Sequence, residues 1–248
     1  MGKTEIAELV GLVFVVGAVL LFLYLSGGEE EAPAAPSDSR PVLVCVDSTL
    51  STDGVREKYE SDLEKVVRRS AMRQDTLYAA ACGANATGEV DWPIQKTFRK
   101  NYSDERFGRE ELEQQAAEVI EGNGSEEGVV DLLDSRSHEG TPIGEMLAVT
   151  ARQCAQARGS CEIYVFTDGE WADSLLRIRG GISDTERRNY LREYDRKKLA
   201  GLGGSTVNFI GVGLGTEIGE LRLDEARELA KELVEQAGGT MGSWSTRL

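Results

Sequence analysis

The chain has 248 residues, of which 40% are hydrophobic and 29% are charged. This is enough for one domain of ordinary size with a real core and an accessory segment, and it excludes a chain that is disordered throughout. The formal net charge of -15 argues against a nucleic-acid-binding function, because such proteins need a basic face to displace counterions. The same charge suits a domain that attracts cations, although an acidic surface also simply keeps a protein soluble.

The N-terminal part of the chain predicts a membrane anchor. After a short flank at residues 1–8, the run Leu9–Leu25 has no charged residue and no proline, and it approaches the roughly 20 residues that a membrane-spanning helix needs. A secretory signal peptide is the alternative, but its apolar stretch is usually only about 7–15 residues long. Lys3 precedes the span and Arg40 is the first basic residue after it. The positive-inside rule therefore predicts a single-pass protein of the cell membrane with an extracytoplasmic body.

Residues 26–39 predict a flexible linker, because Gly, Glu, Pro and Ala follow one another there without periodicity. From residue 40 to residue 248, strand-like and helix-like segments alternate. Predicted strands occupy residues 41–46, 77–82, 92–98, 162–167 and 206–214, with a short edge strand at 241–244. Predicted helices occupy residues 55–67, 103–120, 143–157, 184–202 and 224–237. This alternation predicts an α/β domain with a Rossmann-like, doubly wound, mostly parallel sheet flanked by helices.

Oxygen-bearing side chains follow the ends of the predicted strands, where ligands bind in sheets of this kind. Asp47, Thr49 and Ser51 follow the first strand, Thr141 precedes a helix, and Asp168 follows the strand at 162–167. Carboxylate and hydroxyl oxygens suit Mg²⁺, and also Mn²⁺ or Ca²⁺. The chain has a single histidine, so a zinc cluster is not predicted.

Each of these pieces also has a simpler interpretation. Asp47 and the hydroxyl residues after it could form a turn with helix caps. Thr141 could cap a helix that starts with Pro142, and Thr167-Asp168-Gly169 could be an ordinary turn. Caps alone do not require three such pieces in this order at strand-to-helix junctions, so the combination favours a metal site.

This combination resembles the metal-ion-dependent adhesion site of the von Willebrand factor A family, which reads Asp-x-Ser-x-Ser, then a Thr, then an Asp. Thr49 stands where the family usually has a serine and keeps the hydroxyl. The matching positions are Asp47, Thr49, Ser51, Thr141 and Asp168. The resemblance extends from about residue 40 to the C terminus. It implies a Rossmann-like sheet between helices, and a metal ion with an open coordination position that a partner's carboxylate fills.

The functional prediction is a membrane-tethered, divalent-cation-dependent protein–protein interaction module that is not an enzyme. Its protein partner would offer an acidic residue to the metal, with His138, Glu170 and Trp171 as a contact rim. His138 could instead be a solvated loop residue, and Trp171 could pack over the adjacent helix. Two alternatives remain open, namely a metal-dependent phosphohydrolase with Asp47 as the nucleophile and a scaffold with a vestigial metal site. The phosphohydrolase would want a second aspartate where this chain has Thr49.

The chain has four cysteines, and the sequence predicts different roles for them. Cys45 and Cys82 lie in predicted strands and are interpreted as small buried hydrophobic residues. Cys154 and Cys161 flank a predicted helix-to-strand turn and could come within disulfide distance. This second pair is the predicted bridge if the body of the protein is extracytoplasmic.

Overall fold

The computed structural model describes residues 39–47, 55–82, 90–124, 126–134, 141–172, 175–216 and 218–248. The chain divides into two units between Ser37 and Asp38, and all of the described residues lie in the second. The predicted anchor at Leu9–Leu25 lies outside the described residues, as does almost all of the predicted linker. Within the described ranges, no helix is both long enough and apolar enough to cross a bilayer.

The described part of the domain alternates strands and helices, as the sequence predicts. The strands are β1 (Pro41–Asp47), β2 (Thr76–Cys82), β3 (Ile94–Thr97), β4 (Glu162–Phe166), β5 (Thr206–Ile210) and β6 (Thr240–Ser245). The helices are α1 (Arg56–Arg73), α2 (Glu105–Glu121), α3 (Ile143–Gln156), α4 (Asp184–Glu193) and α5 (Glu220–Gln236). Short 3₁₀ segments lie at Val129–Asp134, Ile178–Gly180 and Ala200–Leu202.

The six strands form one mixed sheet in the order β3-β2-β1-β4-β5-β6. All neighbouring strands are parallel except β3, which pairs antiparallel with β2 at the edge of the sheet. Pro93 directly precedes β3, which suits an edge position because proline has no N–H to donate to a neighbouring strand. The strand order confirms the predicted Rossmann-like, mostly parallel α/β sheet.

Helices cover both faces of the sheet because the strand residues alternate between two hydrophobic layers. Residues such as Val44 and Val46 of β1 pack in one layer with α1 and α2. Leu43 and Cys45 face the opposite layer, which contains residues of α3, α4 and α5. Because the parallel strands run in the same direction, their carboxyl ends all lie at one edge of the sheet, here called the carboxyl edge. Their amino ends lie at the opposite edge, here called the amino edge.

The helix predicted for residues 184–202 is wrong beyond Glu193, where α4 ends. The carboxylate of Asp195 accepts hydrogen bonds from the backbone N–H groups of Lys197 and Lys198, each at 3.0 Å. Aspartate side chains compete with the helix in this way by bonding to nearby backbone groups. The chain turns at Asp195 and becomes helical again only in the short Ala200–Leu202 segment.

The interpretation of Cys45 and Cys82 as buried thiols is also wrong, because they form a disulfide. Both are fully buried as predicted. Parallel pairing of β1 with β2 places Cys82 opposite Asp47 and leaves the two cysteine Cα atoms 5.6 Å apart. A sequence interpreted strand by strand does not reveal this pairing. The predicted bridge between Cys154 and Cys161 is confirmed, with a Cα–Cα distance of 6.0 Å.

Candidate functional site

Three of the five predicted metal ligands lie at the carboxyl edge of the sheet. Asp47 is the last residue of β1, Asp168 follows β4, and Thr141 lies two residues before the start of α3. Each of these three residues is only 2% exposed. Since β1 and β4 are neighbouring parallel strands, their two aspartates share one edge. Thr49 and Ser51 lie outside the described residues, and so does His138 of the predicted rim.

A hydroxyl group that is not among the predicted ligands links Asp47 to the segment that follows β4. The hydroxyl of Thr167 donates a hydrogen bond of 3.0 Å to Oδ2 of Asp47, and the Gly169 N–H donates to the same hydroxyl at 3.2 Å. One residue further on, the Glu170 N–H donates to Oδ1 of Asp168 at 2.8 Å. Thr167 therefore orients the carboxylate of Asp47, and the Glu170 N–H orients that of Asp168 as in an Asx turn.

The second loop joins the same cluster through its backbone. Thr141 forms a parallel bridge with Trp171, and its carbonyl accepts a hydrogen bond from the Ala172 N–H at 3.1 Å. Thr141 is thereby held next to the segment that carries Asp168. Asp47, Thr141 and the segment that carries Asp168 thus lie at one edge of the sheet.

Tyr59 of α1 is a fourth component, and it is not among the predicted site residues. It is 1% exposed, and its hydroxyl donates a hydrogen bond of 3.3 Å to the carbonyl of Gly211. Burial raises the pKa of Tyr59 far above its usual value, and the charges of Asp168 and Asp47 raise it further. The phenol therefore stays neutral and lies within electrostatic range of both carboxylates. Tyrosine at helical spacing is typical of any core, so the sequence carries no signal for this role.

The position of α1, and hence of Tyr59, is fixed by a buried carboxylate elsewhere on the helix. Asp62 is 1% exposed and accepts hydrogen bonds from Arg247 Nε at 2.9 Å and from the Leu248 N–H at 3.2 Å. Lys65 also donates to Asp62, at 2.7 Å. These charge-assisted contacts tie α1 to the segment that follows β6.

The strand predicted at 206–214 is shorter than expected, because β5 ends at Ile210. Gly211 and Gly213 adopt φ angles of 90° and 81°, which are left-handed conformations that end a strand and favour glycine. The Gly213 N–H then donates a hydrogen bond of 2.8 Å to the carbonyl of Asp168. The glycine loop therefore supports the backbone that carries one of the two site carboxylates.

We expect Gly211→Ala to destabilise the domain by about 3 kcal/mol, from left-handed strain together with overpacking. A Cβ atom at Gly211 would lie 2.6 Å from the Tyr59 hydroxyl oxygen and would also clash with the ring. The matched control is Gly213→Ala, where the Cβ would lie 3.4 Å from the flexible Leu223 side chain. This control should cost only about 1 kcal/mol of backbone strain. Urea unfolding measures both values, and equal losses would show that Tyr59 is not packed tightly against Gly211.

Trp171 lies in the core, which matches the packing alternative and removes it from the predicted contact rim. Only 1% of it is exposed, and its Nε1–H donates a hydrogen bond of 2.8 Å to the hydroxyl of Tyr190. The two rings meet edge to face, with centroids 5.3 Å apart. The same hydroxyl accepts a hydrogen bond from the Gly144 N–H in the first turn of α3 at 3.3 Å. Trp171 thus contacts Tyr190, which in turn contacts the first turn of α3 beside the candidate site.

Glu170 remains on the rim but is partly buried among neighbours. Its carboxylate forms an ion pair with Arg179 and accepts a hydrogen bond of 3.1 Å from the hydroxyl of Thr216. These contacts fix its side chain beside the aspartates. Glu170 is therefore an oriented group whose charge is partly compensated by Arg179.

The donor set of this edge fits a hard divalent cation. Two carboxylates and a threonine hydroxyl supply oxygen ligands, and water completes the coordination of Mg²⁺ at most protein sites. Among the residues that the structure describes, no group of three or more His, Cys, Asp or Glu side chains is arranged to hold a metal ion. The predicted site does not require such a group, because its other ligands are hydroxyls. Thr49 and Ser51, which would supply two of them, lie outside the described ranges.

Comparison with solved structures finds distant similarities. The chain matches no protein-family profile and no curated protein. The human COPII-coat protein Sec24c aligns with a TM-score of 0.43 at 8% identity, over 84% of this chain and 29% of that one. The pilus adhesin SpaC from Lactobacillus rhamnosus GG, in an open conformation, aligns with a TM-score of 0.42 at 8% identity, over 83% and 28%. The chain thus spans less than a third of either protein, and neither similarity bears on its function.

Proposed function

We propose that this chain is a membrane-tethered module of the von Willebrand factor A type that binds Mg²⁺, Mn²⁺ or Ca²⁺ and uses the ion to hold an acidic residue of a protein partner. The observation that carries the proposal is the pair of buried carboxylates, Asp47 and Asp168, at the ends of two neighbouring parallel strands. Keeping two negative charges at the buried ends of neighbouring strands is costly. A divalent cation between them would offset that cost.

The proposed ligands are the two aspartates together with the hydroxyls of Thr141, Thr49 and Ser51. Two carboxylates neutralise a divalent ion but do not fill an octahedral shell, so water would remain on the exposed side. A partner's carboxylate can replace that water and gain a strong contact with the ion. Without the ion, a chain with a net charge of -15 would repel an acidic partner, so the metal also supplies electrostatic complementarity.

The disulfides favour placing this domain outside the cytoplasm. All four cysteines of the chain are paired, and disulfides persist mainly in oxidising compartments. This agrees with the orientation predicted from Lys3 and Arg40 by the positive-inside rule. The proposed location is therefore the outer side of a cell membrane, with the N-terminal run as the anchor.

We expect the full-length protein, solubilised in mild detergent, to capture its partner from membrane extracts in Mg²⁺ but not in EDTA. Asp168→Ala should lose capture even in Mg²⁺, because it removes one of the two carboxylates that hold the ion. The matched control is Asp75→Asn, which changes a buried aspartate at the amino edge and should leave capture intact. Affinity isolation followed by mass spectrometry measures the result.

Capture that is unaffected by both EDTA and Asp168→Ala would contradict the bridging mechanism. Metal binding without any metal-dependent partner would instead favour a scaffold with a vestigial site. Mg²⁺-dependent hydrolysis of a generic phosphate ester, lost in Asp47→Asn, would favour the phosphohydrolase alternative.

A further inference from the structure

Three of the five asparagines in this chain begin the same three-residue pattern. Asn85, Asn101 and Asn123 each stand two residues before a serine or a threonine, and none of them is followed by proline. Serine and threonine make up 31 of the 248 residues, so chance places one of them at such a position in about one case in eight. The pattern Asn-x-Ser/Thr, here called the sequon, is the acceptor sequence for N-linked glycans.

The sequon of Asn101 is the one that lies wholly within the described residues. It occupies residues 101–103, between the end of β3 and the start of α2, and belongs to no helix or strand. Every residue from 101 to 107 is exposed. A transferase can therefore reach the Asn101 side chain in the folded domain, and a bulky substituent there displaces no part of the core.

The contacts of Asn101 are compatible with a sugar on its side chain. The carboxylate of Glu111 accepts hydrogen bonds from the Asn101 backbone N–H at 2.8 Å and from Nδ2 at 2.5 Å. The amide nitrogen carries two hydrogens, and the contact with Glu111 uses one of them. A sugar that replaces the other hydrogen leaves an N–H for Glu111, so the loop can keep its conformation after modification.

Two exposed aromatic rings lie directly after Asn101. Tyr102 is 58% exposed and Phe107 is 56% exposed, and their ring centroids lie 6.2 Å apart. Exposed apolar surface of this kind favours unwanted association. A glycan is bulky and solubilising, and the C–H groups of a sugar ring are attracted to the negative face of an aromatic ring. A glycan on the residue next to Tyr102 would therefore shield this pair.

We propose that Asn101 is an N-glycosylation site. This inference rests on the extracytoplasmic location in the proposed function, which the two disulfides favour. The donor is a glycan attached to a polyprenyl phosphate or pyrophosphate. A bond forms between Nδ2 of Asn101 and the anomeric carbon of the first sugar, while the bond from that carbon to the phosphate oxygen breaks. The lipid phosphate leaves with the electron pair, and one proton passes from Nδ2 to solvent.

The test is mass spectrometry of the full-length protein, purified in detergent from the cells that produce it naturally. Trypsin cuts after Lys100 and Arg106, so residues 101–106 form one peptide that holds the whole sequon. We expect this peptide to gain the mass of a glycan, with fragment ions that locate the glycan on Asn101.

The matched internal control is the tryptic peptide of residues 189–192. It also begins with asparagine and tyrosine, but leucine stands two residues after the asparagine. Asn189 is exposed, as Asn101 is, so the two side chains differ mainly in the sequon. Asn189 should carry no glycan.

Two variants at the third position of the sequon, produced in the same cells, complete the test. Ser103→Ala removes the hydroxyl and should abolish the modification, although Asn101 and its contact with Glu111 remain. Ser103→Thr keeps a hydroxyl and should retain the glycan. An unmodified Asn101 in the wild-type protein, or a glycan that persists in Ser103→Ala, would overturn the proposal.

Disulfide mapping of the same sample separates this proposal from the location on which it rests. Paired cysteines together with an unmodified Asn101 would refute the glycosylation site alone. Free thiols together with an unmodified Asn101 would refute the extracytoplasmic location as well.

Discussion

Replacing Asp47 with asparagine is expected to lower Mg²⁺ affinity by more than about 100-fold, since changing even an outer-shell partner of a metal ligand typically costs 10–100-fold. Asparagine has nearly the same shape and keeps a carbonyl oxygen that can accept the hydrogen bond from Thr167. The change therefore removes one of two site charges with little effect on packing. Isothermal titration calorimetry on the full-length protein in detergent measures the affinity.

The control for this experiment is a buried aspartate at the opposite edge. Asp75 is 3% exposed, and its burial raises its pKa above the usual value. Asp75→Asn should leave Mg²⁺ affinity unchanged, so a loss in both variants would point to a general effect on the fold. Equal affinities of wild type and Asp47→Asn would rule out a metal site at this edge.

Removing the disulfide between β1 and β2 should cost about 4 kcal/mol of unfolding free energy, on the chain-entropy estimate for a loop of this length. Cys45 and Cys82 are 37 residues apart, and their double replacement by alanine leaves the unfolded chain much less restricted. The double alanine variant of Cys154 and Cys161 is the matched control. That pair is separated by only 7 residues, so its loss should cost about 2 kcal/mol. Urea denaturation of the two variants gives the comparison.

The first of these variants should also weaken Mg²⁺ binding, and the second should not. Cys82 is the strand partner of Asp47, so the disulfide holds the end of β1 where the proposed ligand stands. The bridge between Cys154 and Cys161 joins the end of α3 to the start of β4 at the amino edge. Equal destabilisation of the two variants would mean that the estimate from loop length does not describe this domain.

The α/β class, the strand positions and the edge location of β3 could be predicted because they follow from hydrophobic periodicity and from single residues such as Pro93. The ends of the elements were less predictable. Residues 184–202 have helical composition, yet the side chain of Asp195 captures the backbone and ends the helix. Residues 206–214 are apolar, yet positive φ angles at Gly211 and Gly213 end the strand early.

The candidate site was predictable only where a residue type carried its own signal. Asp47, Thr141 and Asp168 stand at strand-to-helix junctions, and the structure places all three at one edge. Tyr59 reaches that edge from a helix, and only the packing of α1 against the sheet reveals its position. Trp171 illustrates the converse, because an aromatic residue next to a predicted site has no sequence feature that distinguishes a surface anchor from a core residue.

The location of β1 in the middle of the sheet has a consequence for how the chain reaches its native state. One neighbour of β1 is β2, which follows soon after it, but the other is β4, and Asp47 and Thr167 at their ends are 120 residues apart. During synthesis, the largely apolar β1 strand therefore waits with one edge unpaired. Such edges are prone to non-native pairing.

Pairing across so long a separation is also slow, because loop-closure entropy must be overcome before the contact is gained. If the domain crosses a membrane before it folds, β1 and β4 emerge at different times. An early disulfide between Cys45 and Cys82 would fix β1 to β2 in register and leave only its second edge open. Export and oxidation would then act as a kinetic safeguard against aggregation of the nascent chain.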